Sequence, residues 1–282
     1  MVKKKIDMGL NPGDFLIDAA KKEMGSWGKT DLYSTGDSVI DEYLGGGYGR
    51  PDGYEIVTIF GGTGMNKSTF ATSMILDAAL NGKTIVYFAL EDDPKDVVKR
   101  ILIQCNMDEE KVKKITANIL FMPENDGYTL DMMAEAIESI FDIADIILID
   151  PLQFIFEASA TERGETEFNR QRLFMRRMNN IMKHTNKTLI IVSHTNKNSG
   201  GKDARSGVDK IIGSSAVAQV STKVIEIDRK DGVHGIRLWK TRFTPYRYSG
   251  IQIELNNMVV HSAYTNADEV RQAREVWSGG RL

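Results

Sequence analysis

Lys67 and Ser68 close the run Gly61-Gly62-Thr63-Gly64-Met65-Asn66-Lys67-Ser68-Thr69, and these residue types in this order could hold a polyphosphate. Backbone N–H groups of such a loop turn inward toward phosphate oxygens. The lysine brings a point charge to the β and γ oxygens, and the Ser68 hydroxyl can hold Mg²⁺. The spacing is that of G-x-x-x-x-G-K-[ST], with Asn66 where the second glycine is expected. Asparagine is one of the few residues other than glycine that visits positive φ at modest cost. The expected cofactors are therefore ATP, or another nucleoside or deoxynucleoside triphosphate, and Mg²⁺, with residues Gly61 to Thr69 as the cradle.

Three strand ends supply further chemistry. Asp145-Ile146-Ile147-Leu148-Ile149-Asp150 places Asp150 where a carboxylate can assist the magnesium shell, or else cap the next loop. The strand Thr84 to Leu90 runs into Glu91, which could orient and deprotonate an attacking water. Asp92 and Asp93, just before Pro94, suit the N-terminus of a helix instead. The strand Leu189 to Ser193 ends in His194, which could donate to a γ-phosphate and report its loss to the following loop; a histidine satisfied within a turn is the plainer alternative. His184, His234 and His261 have no comparable setting.

These ends must share one edge for the chemistry to work, and the patterning says how. Apolar, β-branched runs at 54–60, 84–90, 119–122, 145–150 and 188–193 alternate with helical segments at 69–76, 94–104, 129–141 and 167–184, which implies a mainly parallel sheet flanked by helices. Ligands in such sheets sit outside the carboxyl ends of the strands. Beyond Val217 the pattern changes to strand pairs, 224–229 with 236–241 across Asp231-Gly232 and 251–255 with 259–260. They read as C-terminal antiparallel hairpins that extend the sheet. Residues 1–30 read as an extension with a helix over 14–24, residues 31–264 as the core, and 265–282 as a tail.

Composition bounds the rest. At 282 residues and 41% hydrophobic content the chain can build one large α/β core. Its single cysteine, Cys105, forbids an internal disulfide and reads as a packing residue. No run is apolar enough to span a bilayer, so a soluble, cytoplasmic protein is expected. A net charge of −3 offers no general attraction for nucleic acid, so any such partner needs a locally basic loop. The glycine-rich stretch 195–207 is one, carrying Lys197, Lys202 and Arg205. It could grip a phosphate backbone in one nucleotide state and release it in another, or be an ordinary surface loop. The arginines of 170–177 read as facing solvent or a neighbour.

Taken together, Thr35 to Gly47, the phosphate loop, Leu90-Glu91, Leu148-Ile149-Asp150 and Ser193-His194 resemble the RecA-like P-loop NTPase core. Over residues 33 to 260 the chain more narrowly resembles the hexameric replicative helicases of the DnaB type, including the helicase half of phage primase-helicases and of Twinkle. Glu91-Asp92-Asp93-Pro94 also resembles the small RepA-type plasmid helicases. This resemblance implies an NTP-dependent, ring-shaped DNA helicase that moves on single-stranded DNA in phage or plasmid replication. Its implied partners are further copies of itself in a hexameric ring and a separate primase or loader.

The resemblance assigns roles as well. In Leu238-Trp239-Lys240-Thr241-Arg242-Phe243-Thr244 the Lys240-x-Arg242 pair would reach across a subunit interface, with Arg242 as a finger on the neighbour's γ-phosphate. A planar guanidinium suits charge spread over phosphoryl oxygens. Arg229 matches the position that stacks on the nucleotide base. The loop after His194 would line the ring's pore, with Phe154 to Thr166 as a second, acidic pore loop. Two other classes share the core: a strand-exchange recombinase of the RecA or phage type, which forms filaments, and a KaiC-like regulatory ATPase that acts on a protein partner.

Overall fold

The computed structural model of the chain describes residues 32–50, 53–122, 129–158, 167–183, 185–195, 211, 214–230, 232–241, 250–256, 258–264 and 269. All of them lie in the compact unit Leu32–Leu282. The expected extension over 1–30 and most of the tail over 265–282 lie outside the described residues.

Among the described residues nine strands form a single sheet in the order β3-β2-β4-β5-β1-β6-β7-β8-β9. In chain order they are β1 (Glu55–Gly61), β2 (Ile85–Ala89), β3 (Ile119–Phe121), β4 (Ile146–Asp150), β5 (Thr188–His194), β6 (Lys223–Lys230), β7 (Val233–Lys240), β8 (Gly250–Asn256) and β9 (Val259–Ser262). The strands from β3 to β6 are parallel. β7, β8 and β9 extend the sheet with antiparallel pairs. This is the expected mainly parallel sheet with C-terminal hairpins.

β1 is buried along its whole length because it has a parallel neighbour on each side and helices over both faces, which demands an apolar run without alternation. One face is covered by α2 (Lys67–Leu80), α3 (Pro94–Gln104) and α4 (Glu109–Thr116), after the short α1 (Ser38–Tyr43). Phe70, Met74, Val97, Ile101 and Ile115 pack there against Val57, Ile59, Ile85 and Tyr87. The other face carries α5 (Leu130–Ser139), α6 (Gln153–Ala158), α7 (Glu167–Met182) and α8 (Ser214–Val220). There Met133, Ile137, Phe174, Met178 and Val217 meet Ile56, Phe60, Val86 and Phe88. Within β2 alternate residues supply alternate faces.

Local chemistry sets the helix starts. Asp37, Asp93, Asp108 and Thr129 each accept a backbone N–H of the helix that follows, and Pro94 opens α3. Cys105 is buried at the end of α3, as expected of a packing residue, and burial pushes its thiol pKa up. One expectation is corrected here. Phe154 to Thr166 was expected as a loop, yet its first part belongs to α6, because Leu152 and Ile155 bury in the core and Leu152 N–H donates to Val192 O at 2.9 Å.

The opposite edge of the sheet is locked by a buried ion pair. Lys223 Nζ lies 3.2 Å from Glu55 Oε1, with side-chain exposures of 2% and 0%. The same ammonium donates to Gly47 O at 2.6 Å, and Glu55 Oε2 accepts the Gly49 N–H. The glycine-rich segment after α1 is thereby tied to the first residues of β1 and β6. Among the described residues no helix is long and apolar enough to cross a membrane.

Candidate functional site

The loop from Gly61 to Asn66 joins β1 to α2, and two of its residues have left-handed backbone, Gly64 at φ 76° and Asn66 at φ 63°. Asparagine thus does at 66 what the missing glycine would do. Gly61 is required for another reason: a Cβ there would collide with the carbonyl oxygen of Ile227 on β6. Asn66 gives α2 no side-chain cap, and its first turn holds no acid. The first N–H groups of α2 are thereby left for an anion, and the helix dipole favours one.

Lys67, the first residue of α2, is buried at 5% exposure. Its ammonium donates to Gly62 O at 2.8 Å and lies 3.5 Å from His194 Nδ1. Burial lowers its pKa, against the opposing pull of Asp150 and Glu91. Ser68 Oγ donates to Asp150 Oδ1 at 3.1 Å. A hydroxyl and a carboxylate oxygen side by side are hard donors, which suits a small divalent cation that keeps water and phosphate as its other ligands. Ser68 and Asp150 are the residues that would hold Mg²⁺. Among the described residues no cluster of three or more His, Cys, Asp or Glu side chains offers an alternative metal site.

Asp150 ends β4 opposite Ala89 of β2, so the turn carrying Glu91 starts beside it. It is 4% exposed. Burial, only partly offset by hydrogen bonds from Tyr87 and Ser68 and by Arg100, raises its pKa from 3.8 to about 6. His194 ends β5 in register with Gly61, the first residue of the phosphate loop. Its Nε2 lies 3.7 Å from Glu91 Oε2, and the Glu91 side chain is half exposed. Lys67, Ser68, Glu91, Asp150 and His194 therefore gather at one edge, as strand order requires of residues at parallel carboxyl ends.

The neighbouring acids divide their work differently from the sequence expectation. Asp93 caps α3 by accepting Lys95 N–H at 2.7 Å. Asp92 does not cap; it pairs with Arg100 at 2.5 Å. Sequence reasoning also missed Tyr87, whose hydroxyl donates to Asp150 Oδ2 at 2.9 Å, and Gln153, which donates to Ser193 Oγ at 2.8 Å. A tyrosine inside an otherwise apolar buried strand was the available signal, because a buried phenol needs a partner.

Arg229 lies two residues beyond Ile227 near the end of β6, its Nε donating to Gly232 O at 3.2 Å. Lys240 Nζ donates to Ala218 O and Gln219 O, both at 2.8 Å, and so ties β7 to the end of α8. The expected DNA contacts Lys197, Lys202 and Arg205, and the expected finger Arg242, lie outside the described residues.

A model of the AAA domain family matches residues 49–200. The DNA repair and recombination protein RadB of Methanococcus maripaludis is 24% identical over 207 residues, covering 72% of this chain and 89% of that protein. Among solved structures, a DnaB-like replicative helicase superposes with a TM-score of 0.69 at 14% identity, covering 88% of this chain and 67% of the other. A KaiC-like protein from Pyrococcus horikoshii gives a TM-score of 0.62 at 19% identity, covering 83% of this chain and 100% of the other. At such identities the structural likeness is one of fold, and the fold is that of the RecA-like P-loop ATPases.

Proposed function

The chain belongs to the AAA domain family, and from that premise we propose that this RecA-like nucleoside triphosphatase is a motor that translocates on single-stranded DNA, a helicase working as a closed ring of identical subunits. The observation that carries the reading is the placement of His194 between Lys67 and Glu91, 3.5 Å from one and 3.7 Å from the other. A γ-phosphate held by Lys67 would lie within reach of this imidazole. The strand that ends in His194 leads straight into the basic segment with Lys197, Lys202 and Arg205. Loss of the phosphate can thus be passed along a few residues to a DNA contact.

In this reading Lys67 and the N–H groups of the loop bind the triphosphate, and Mg²⁺, when bound beside Ser68 and Asp150, neutralises developing charge on its oxygens. Glu91 orients the attacking water and takes its proton. Arg242 completes the site of a neighbouring subunit, Arg229 contacts the base, and Lys240 stands two residues before the finger. A separate primase or loader is a further partner in this reading.

The likeness to RadB supports a second reading, a recombination ATPase that forms filaments on DNA. The two separate by geometry, since an interface that closes gives a ring and one that does not gives a filament. Negative-stain imaging with a non-hydrolysable triphosphate and single-stranded DNA tests this. Closed rings, together with displacement of a labelled strand from a forked duplex, support the helicase; filaments without strand displacement support the recombinase.

A further inference from the structure

Tyr87 and Arg100 contact residues of the site and of the turn and helix that carry them. Tyr87 is fully buried on β2, its ring stacked on Phe121 with centroids 5.7 Å apart. Its hydroxyl donates to Asp150 Oδ2, while Asp150 Oδ1 accepts from Ser68. Among the described residues each carboxylate oxygen thus has one donor, and the plane of the carboxylate is set.

Arg100, on α3, reaches two ways. One arm pairs with Asp92 at 2.5 Å, the residue after Glu91, and the other points at Thr72 Oγ1, 3.5 Å away. Thr72 Oγ1 in turn donates to Ser68 O at 2.7 Å. A guanidinium can serve both directions at once because its donors are fixed in one plane. The side chains of Arg100 and Asp92 are 15% and 34% exposed, so the pair is partly shielded from solvent.

We propose that Tyr87 and Arg100 are positioning residues that join the two halves of the hydrolytic site. Tyr87 holds Asp150 so that a single oxygen is presented beside Ser68. Arg100, through Asp92 and Thr72, holds the turn that carries Glu91 against the helix that carries Lys67 and Ser68. The inference rests on the assignment of a triphosphate to this loop. Partners that orient a metal ligand matter nearly as much as the ligand, and removing one typically weakens metal binding about 10-fold to 100-fold. Misplacing a water-orienting group by about 1 Å costs on the order of 100-fold in rate.

The test uses the full chain and two readouts: binding of a fluorescent, non-hydrolysable triphosphate analogue with and without Mg²⁺, and steady-state hydrolysis. For Tyr87→Phe the metal-free affinity stays at the wild-type value, and the Mg²⁺ concentration giving half of the metal-dependent tightening rises about 10-fold. For Asp92→Asn binding and its Mg²⁺ dependence are unchanged, and hydrolysis falls at least about 10-fold. A merely structural role for either residue would lower the thermal midpoint and leave these curves alone. Asp92 is partly exposed, so its variant carries the test even where Tyr87→Phe fails to fold. An unchanged metal curve for folded Tyr87→Phe, or wild-type hydrolysis by Asp92→Asn, overturns the inference while the nucleotide assignment stands. Wild-type protein that binds no triphosphate overturns both.

Discussion

His194 Nε2 stands 3.7 Å from Glu91 Oε2, across two strand ends that are 103 residues apart in sequence (194 − 91) and separated in the sheet by β4. The proposed sensor and the proposed base therefore face each other beside Lys67. Glu91→Gln keeps the shape and removes the proton acceptor. Its hydrolysis should fall by roughly 100-fold to 10,000-fold with nucleotide affinity nearly unchanged, measured by steady-state turnover and equilibrium binding. His194→Ala should still bind and hydrolyse but lose any stimulation by single-stranded DNA.

Asn66 offers a test of backbone chemistry. At φ 63° it occupies a conformation that glycine takes freely and a β-branched residue resists. Asn66→Gly should leave nucleotide binding and the thermal midpoint close to wild type. Asn66→Val should lose about 1–2 kcal/mol of stability by denaturant unfolding and weaken nucleotide binding as the loop distorts.

The contrast between what patterning reveals and what it hides is sharp in this chain. β1 could be read from Ile56, Val57, Ile59 and Phe60 because a central parallel strand must be apolar on both faces. The phosphate loop, Asp150, Glu91 and His194 could be placed at one edge because parallel strands share a direction. α4 escaped notice because only Val112 and Ile115 are buried, too few to establish a period, although Asp108, the acids Glu109 and Glu110, and Lys113 and Lys114 were its local signals. The partner of Tyr87 was illegible for a different reason: it depends on β2 lying beside β4, which is a fact of strand order. The pairing of Asp92 with Arg100 in place of a capping role likewise depends on how α3 lies against the site.

Asp150 sets a pH dependence in the metal-free protein. Its pKa rises from 3.8 unfolded to about 6 folded, so folding favours the protonated form. The stabilisation from this group is fully present below pH 3.8 and is lost as pH rises through about 6. At pH 8 without Mg²⁺ the buried charge is a burden on the order of 3 kcal/mol. Asp150→Asn should therefore raise the thermal midpoint of the metal-free chain most at pH 8, by about half as much at pH 5 and little below pH 3.8, while abolishing Mg²⁺-dependent hydrolysis. Equal midpoints at pH 8, by calorimetry, would count against a buried, unpaired carboxylate at this position.

The pair at the opposite edge makes a prediction about stability alone. Lys223→Met leaves Glu55 fully buried without its cation and Gly47 O without its donor. Loss of one partner of a buried pair typically costs about 3–5 kcal/mol, which denaturant unfolding would register. Exchanging both members for apolar residues, Glu55→Leu with Lys223→Met, should recover part of that loss.

In the proposed mechanism a triphosphate bound at Lys67 drives movement on DNA through His194 and the basic segment that follows it. The most direct measurement is steady-state hydrolysis with and without single-stranded DNA, for the wild type and for a Lys202→Ala, Arg205→Ala double variant. DNA should stimulate the wild type about 10-fold or more, a gain typical of a site completed by correct positioning, and the double variant should keep its basal rate without the stimulation. Hydrolysis by the wild type that is indifferent to DNA would contradict this mechanism.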